Sequence, residues 1–304
     1  MISCINARAG IVLTNECNME KYVEKQLNES YNGKLTELFK EWKASYGSDK
    51  QHLFVEDGLV VKYKDESTGY DINEQWQKSP RKIAFLLKDC PDDWGYDARR
   101  LLVGYGGNEK SQRLAANVRN IKGRFFHNLA RMLYGLSAMT DDYKGVELAN
   151  EMTNIGKLRE AFNEIPFAYI ECKKLAGGKT CANVALNSAM SRDNEFLAKE
   201  IEILKPNIIV CCGGEVFDNV AANYFKGVIP EEDCRWDYVF DDNGEKGDFR
   251  CKMYYYKEHG VLLFDSYHPS ARVSWRMTEK VFSPLREFFG KYMTFDVVSD
   301  NRVS

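Results

Sequence analysis

No apolar run in these 304 residues reaches the roughly 18 needed to cross a bilayer, so no membrane span is expected. Neither sign of charge dominates: 42 Lys and Arg face 45 Asp and Glu, for a formal net charge of -3. A chain so balanced does not coat nucleic acid nonspecifically, and any contact with phosphates must come from a local basic face. The opening MISCINARAG has only a short apolar start, which makes a poor export signal. With it stand nine cysteines, an odd number, read most simply as reduced thiols in a cytoplasm. No Cys-x-x-Cys pair occurs among them, which speaks against an iron–sulfur cluster. Neither a Gly-x-Ser-x-Gly elbow nor a Gly-x-x-x-x-Gly-Lys loop is present, which removes the common signatures of α/β hydrolases and P-loop nucleotidases.

Aromatic residues, by contrast, are plentiful: 17 Tyr, 17 Phe and 5 Trp, enough for a core and for stacking surfaces besides. Four short apolar runs stand out, at 83–87, 167–172, 207–213 and 260–266. Each is continuous rather than alternating, the mark of strands covered on both faces. Helical spacing separates them. Residues 120–136 place Ile121, Phe125, Leu129, Met132, Leu133 and Leu136 on one stripe. Further helices are expected over 195–206, over 215–225 and after Ser283-Pro284.

This alternation predicts a three-layer α/β/α domain over residues 81–295, with a central four-stranded, mainly parallel sheet. Residues 1–80, with a helix near 35–42 and a strand at 58–64, are expected to form an extension packed on that core. Two strand-like arms around Asn243-Gly244 predict a β-hairpin insertion at about 230–258, and 296–304 reads as a tail.

In doubly wound sheets, sites form beyond the carboxyl ends of the strands. The first run is followed by Lys88-Asp89-Cys90-Pro91-Asp92-Asp93-Trp94, and the second ends in Glu171-Cys172-Lys173-Lys174. The third leads into Gly213-Gly214-Glu215, and the fourth into Tyr267-His268-Pro269-Ser270-Ala271-Arg272. Taken separately, each has a bland reading. Asp89 can cap a helix, His268 can sit in a structural His-Pro turn, and Glu171 can be a partner for Lys173 or Arg272.

Taken in order, they resemble the uracil-DNA glycosylase superfamily over roughly residues 80–290. A strand ending in His-Pro-Ser with Arg close behind is similar to that family's last motif, and Asp-x-Pro on the first strand to its first. Residues 203–214, ILKPNIIVCCGG, look like the third strand of its bacterial and archaeal branches. The resemblance implies a DNA glycosylase that flips a modified or deaminated pyrimidine out of DNA and hydrolyses its N-glycosidic bond, leaving an abasic site. No cofactor and no metal are implied; DNA is the partner.

On this reading Asp89 and His268 are the catalytic pair, the first handling water near the sugar and the second holding the departing base. Asp92 or Asp93 could take the place of Asp89. Glu171, Trp94 and Tyr96 would bind the base. Ser270 and Arg272 would enter the helix, with Lys122 and Arg124, near Arg113 and Arg119, meeting phosphates. Where the branches compared carry an Asn that reads uracil, this chain carries Glu171. An ionised carboxylate only accepts hydrogen bonds, which favours the amino group of a cytosine derivative, such as a modified cytosine of phage DNA. That would make the role antiviral defence. The alternatives are ordinary uracil repair and a catalytically inactive DNA-binding member of the fold.

Overall fold

The structure is a computed structural model, which describes residues 19–64, 66–91, 97–101, 116–139, 152–178, 180–240, 249–272, 285 and 288–292. Its helices are α1 (Ser30–Ala44), α2 (Ile72–Lys78), α3 (Ala98–Leu101), α4 (Arg124–Ala138), α5 (Ile155–Glu164), α6 (Asn183–Arg192), α7 (Asn194–Leu204) and α8 (Gly214–Asn223). Its strands are β1 (Gly58–Leu59), β2 (Ile83–Pro91), β3 (Ala168–Gly177), β4 (Ile208–Cys212), β5 (Arg235–Phe240), β6 (Phe249–Tyr256) and β7 (Val261–Ser266).

One sheet runs in the order β1-β3-β2-β4-β7-β6-β5. Its centre, β3-β2-β4-β7, is parallel throughout and consists of the four expected strands. The sheet is nonetheless seven strands wide instead of four. Edge strands leave unpaired backbone groups, and here both edges are extended. Gly58–Leu59 pairs antiparallel with β3, and β6 pairs antiparallel with β7, carrying β5 with it. The hairpin arms are thus part of the sheet; the Asn243-Gly244 turn lies outside the described residues. The strand expected at 58–64 shrinks to two residues, because only Gly58 and Leu59 find a register on β3.

Side chains alternate across the sheet and both faces are covered. Phe85, Leu87, Val210 and Phe264 pack with Leu129, Leu133 and Leu158 of α4 and α5. Leu86, Ile170, Ile209 and Leu263 pack with Phe39, Ile201 and Phe217 of α1, α7 and α8. That is why the four runs are apolar without alternation.

Local chemistry sets the boundaries. Positive φ at Ile121 (49°) and Gly123 (84°) keeps the segment before Arg124 out of the helix expected from 120. Lys205 closes α7 in the left-handed region at φ 50°, immediately before Pro206. Asn207 then clamps the sheet's start, accepting from Lys82 N–H at 2.7 Å and donating to the Pro80 carbonyl at 2.7 Å.

The segment before β2 is fastened by polar contacts as well as packing. Asn32 accepts from the Leu59 N–H at 3.1 Å and donates to its carbonyl at 3.0 Å. Trp76 donates to the Leu204 carbonyl at 2.8 Å. Asp57 meets Lys174 of β3 at 2.5 and 2.7 Å, and the same ammonium lies 2.8 Å from Glu200 of α7. All three side chains are fully buried.

Candidate functional site

The carboxyl ends of β2, β3 and β7 converge beside the start of α4. Asp89 stands at the end of β2, directly across from Lys173 on β3. Asp89 Oδ2 lies 3.1 Å from Lys173 Nζ, which also donates to the Leu175 carbonyl at 2.5 Å. The carboxylate keeps only 9% of its side-chain exposure. Burial first and the Asp89 charge second push the nearby Cys181 thiol up to about 11, so that thiol stays protonated.

His268 follows β7 in a tight turn, closed by a 2.8 Å hydrogen bond from Ala271 N–H to the His268 carbonyl. Ser270 N–H points at His268 Nδ1, 3.2 Å away. An accepting Nδ1 carries no proton, so the neutral ring carries it on Nε2. The imidazole is held below its usual pKa, by burial first and the Lys88 charge second, with the Asp89 carboxylate opposing. Protonating Nδ1 would also set two donors against each other. The ring is therefore a neutral donor through Nε2, the form that can hold negative charge growing on an oxygen.

Helix α4 builds the rest of this corner. Asn128, buried, donates to the Pro269 carbonyl at 2.7 Å and to the Ala271 carbonyl at 3.3 Å. Arg124 reaches the Ser270 carbonyl at 3.4 Å, so its guanidinium leans on the loop as well as facing solvent. Phe125 sets its ring 5.9 Å from His268 and 6.5 Å from Tyr169. Neither Asn128 nor Phe125 stands out in the sequence: Phe125 shares the apolar stripe of the helix and reads as core, and Asn128 has no motif around it.

Glu171 lies deeper, on the same sheet face as Tyr169, and is 1% exposed. Its Oε1 accepts from the Tyr169 hydroxyl at 2.6 Å and the Cys90 thiol at 3.2 Å. Its backbone N–H donates to Asp57 Oδ2 at 2.7 Å. Oε2 is buried without a hydrogen-bond partner. Burial outweighs the two donors and pushes the carboxyl up to about 7. Pairing of Glu171 with Lys173 is overturned, because that ammonium goes to Asp89 instead.

The remaining expected residues are scattered. Ser270, Arg272, Lys122 and Arg124 are exposed on the turn and around the start of α4. Arg119 stacks on Tyr63 at 4.2 Å. Trp94, Tyr96, Asp92, Asp93 and Arg113 lie outside the described residues. Among the described residues, Glu231, Asp233 and Cys234 come close enough together to hold a metal, but Lys257 and Lys291 already pair with the carboxylates. This group also lies beside the hairpin, away from the strand ends.

The arrangement offers a carboxylate, a neutral imidazole donor, an aromatic ring and a buried carboxyl around one strand-end corner. Against known families, the model described as "Uracil DNA glycosylase superfamily" matches residues 93–290, with Asp89 just ahead of the matched span. No curated protein matches the chain.

Proposed function

Since the chain belongs to the uracil DNA glycosylase superfamily, we propose that it flips a pyrimidine out of DNA and hydrolyses the bond between base and sugar. Cleaving that bond builds positive charge on the sugar and negative charge on the leaving base. Asp89 supplies a carboxylate at the sugar side, where it stabilises the cation and orients water. His268 donates from Nε2 to the base oxygen on which charge develops. Phe125, beside His268, offers a stacking face for the flipped base. Ser270 and Arg272, exposed on the turn that follows, fill the gap left in the duplex, and Lys122 and Arg124 meet phosphates. The observation that carries the reading is the hydrogen bond from Ser270 N–H to His268 Nδ1, because it leaves the imidazole neutral with its donor free.

The base is chosen by Glu171. Ionised, its unpartnered Oε2 accepts from the amino group of a cytosine derivative; plain cytosine is excluded, since its removal would destroy the cell's own DNA. Protonated, the same oxygen donates to the carbonyl of uracil. A carboxyl pushed up to about 7 supports this second reading as well as the first. The test is release of abasic sites from otherwise identical duplexes carrying uracil, 5-hydroxymethylcytosine or glucosylated cytosine. Release from a cytosine derivative supports defence against modified phage DNA, and release from uracil alone supports repair. Binding without release from any of them would leave the inactive DNA-binding alternative.

A further inference from the structure

Lys173 is a puzzle for a purely hydrolytic site. A carboxylate that stabilises a cationic sugar works best unopposed, yet Asp89 carries an ammonium 3.1 Å away, on the residue paired with it across β2 and β3. The contact is built into the fold. A Cβ on Gly177 would lie 2.8 Å from Lys173 Nζ and 2.9 Å from Asp89 Oδ2, so the strand leaves room for the pair only by having glycine there. Lys173 keeps 18% of its side-chain exposure, twice that of Asp89, so the pair is not wholly sealed from solvent. The neighbouring Lys88 is turned to Asn183 on α6, 3.3 Å away. Whatever sugar atom Asp89 reaches is therefore within reach of one amine in particular.

We propose that Lys173 is a nucleophile and that the protein also cleaves the abasic strand by a lyase step, a second activity that rests on the glycosylase reading of the cleft. Once the base has gone, the deoxyribose ring opens to an aldehyde at C1′. Lys173 passes a proton to Asp89 along their hydrogen bond, and the freed amine adds to C1′. The hydroxyl so formed leaves as water, taking the proton held by Asp89, and a protonated imine remains. The regenerated carboxylate removes a proton from C2′, the C3′–O bond breaks, and the 3′ phosphate departs with the bonding electrons. Water then hydrolyses the imine and returns the amine. No oxidant or reductant is consumed. The pairing that handicaps Asp89 as a lone acid is what an imine route needs: an amine with a carboxylate 3.1 Å away to move protons.

The experiment bypasses base excision by supplying preformed abasic-site duplex to the full chain with sodium borohydride, which reduces the imine to a stable cross-link. Binding to a duplex with a tetrahydrofuran abasic analogue, which has no aldehyde, is measured alongside. The expected result is a covalent complex with the wild type and strand cleavage without borohydride. Both fall at least tenfold in Lys173→Arg, which keeps the charge but forms no imine, while Lys88→Arg still cross-links and Lys173→Arg still binds the analogue. Cross-linking that survives in Lys173→Arg, or binding of the analogue without any cross-link in the wild type, overturns the proposal. Binding of the abasic duplex without strand cleavage overturns this step and leaves the glycosylase reading standing, whereas failure to bind abasic DNA at all overturns both.

Discussion

The backbone N–H of Ser270 lies 3.2 Å from Nδ1 of His268 and so decides which ring nitrogen carries the proton. On the proposed mechanism the ring would meet the base as a neutral donor. Because burial and Lys88 hold the imidazole below its ordinary range, activity is expected to persist on the acid side past the usual histidine pKa of about 6.5. His268→Ala and Asp89→Asn should each lower single-turnover base release by about a hundredfold or more, with the fold intact by circular dichroism. Rates near wild type in both would end the assignment of this pair.

Asn128 holds the same turn from the helix side, through the Pro269 and Ala271 carbonyls. Asn128→Ala leaves those carbonyls short of a donor and should cost about 1–3 kcal/mol of stability. Base release should fall further than that loss explains, about tenfold at saturating DNA, because the turn that aims His268 loosens. A fall in stability with unchanged single-turnover rate would make Asn128 a structural residue only.

Much of this corner was readable in the sequence, and the unreadable part has a physical reason. The four parallel strands announce themselves because a strand covered on both faces must be apolar throughout, and Asp89, Glu171 and His268 are visible as the polar interruptions at their ends. Phe125 hides because a ring beside a site and a ring in a core satisfy the same helical stripe. The pairing of Lys173 with Asp89 depends on the register of two strands 84 positions apart, which no local pattern encodes. The far edge of the sheet is hidden likewise: the antiparallel pairing of Gly58 with Tyr169 joins residues far apart in the sequence, which no local pattern encodes.

Glu171 ties pH to stability and, on the proposed reading, to base choice. Its carboxyl is raised to about 7 from the 4.5 of an unconstrained Glu. The folded state thus holds a proton that the unfolded chain gives up. Stability contributed by this group falls as pH rises from about 4.5 to about 7 and is level on either side, a loss of about 3 kcal/mol. Glu171→Gln should remove that slope, so the variant gains on the wild type between pH 5 and pH 8 in chemical denaturation. In parallel, the wild-type ratio of uracil to cytosine-derivative release should fall through pH 7 as the donor on Oε2 becomes an acceptor. A pH-independent ratio would mean that Glu171 does not face the base.

The Lys174 cluster ties the chain's first segment to the sheet. Lys174 is fully buried between Asp57 and Glu200, whose charges raise its pKa against the effect of burial. Burial first and the Asp57 charge second push the Glu200 carboxyl well above the carboxylate range. Lys174→Met removes the only cation these two acids share among the described residues, and should cost about 3–5 kcal/mol, read as a lowered denaturation midpoint. The double variant Asp57→Asn, Lys174→Met, which removes one acid together with the cation, should recover part of that stability. A Lys174→Met protein as stable as wild type would show that the buried charges are not paired in solution.

Gly177 allows the site to be disturbed without removing any functional group. Its Cβ position is taken by the tips of Lys173 and Asp89, at 2.8 and 2.9 Å, closer than real Cβ atoms approach. Both obstructing atoms end flexible side chains, so Gly177→Ala can be accommodated by pushing them aside, and the loss of stability should be small, within about 1 kcal/mol. Catalysis has no such latitude. An acid displaced by even 1 Å from the sugar is expected to lose about a hundredfold in rate. Gly177→Ala should therefore lower single-turnover base release by one to two orders of magnitude at near-wild-type denaturation midpoint, and should lower abasic-strand cleavage with it, since the same methyl group displaces the amine. Gly177→Ser, bulkier at the same place, should do no better. If Gly177→Ala releases bases at the wild-type rate, the position of Asp89 beside Lys173 is not the one that catalysis uses.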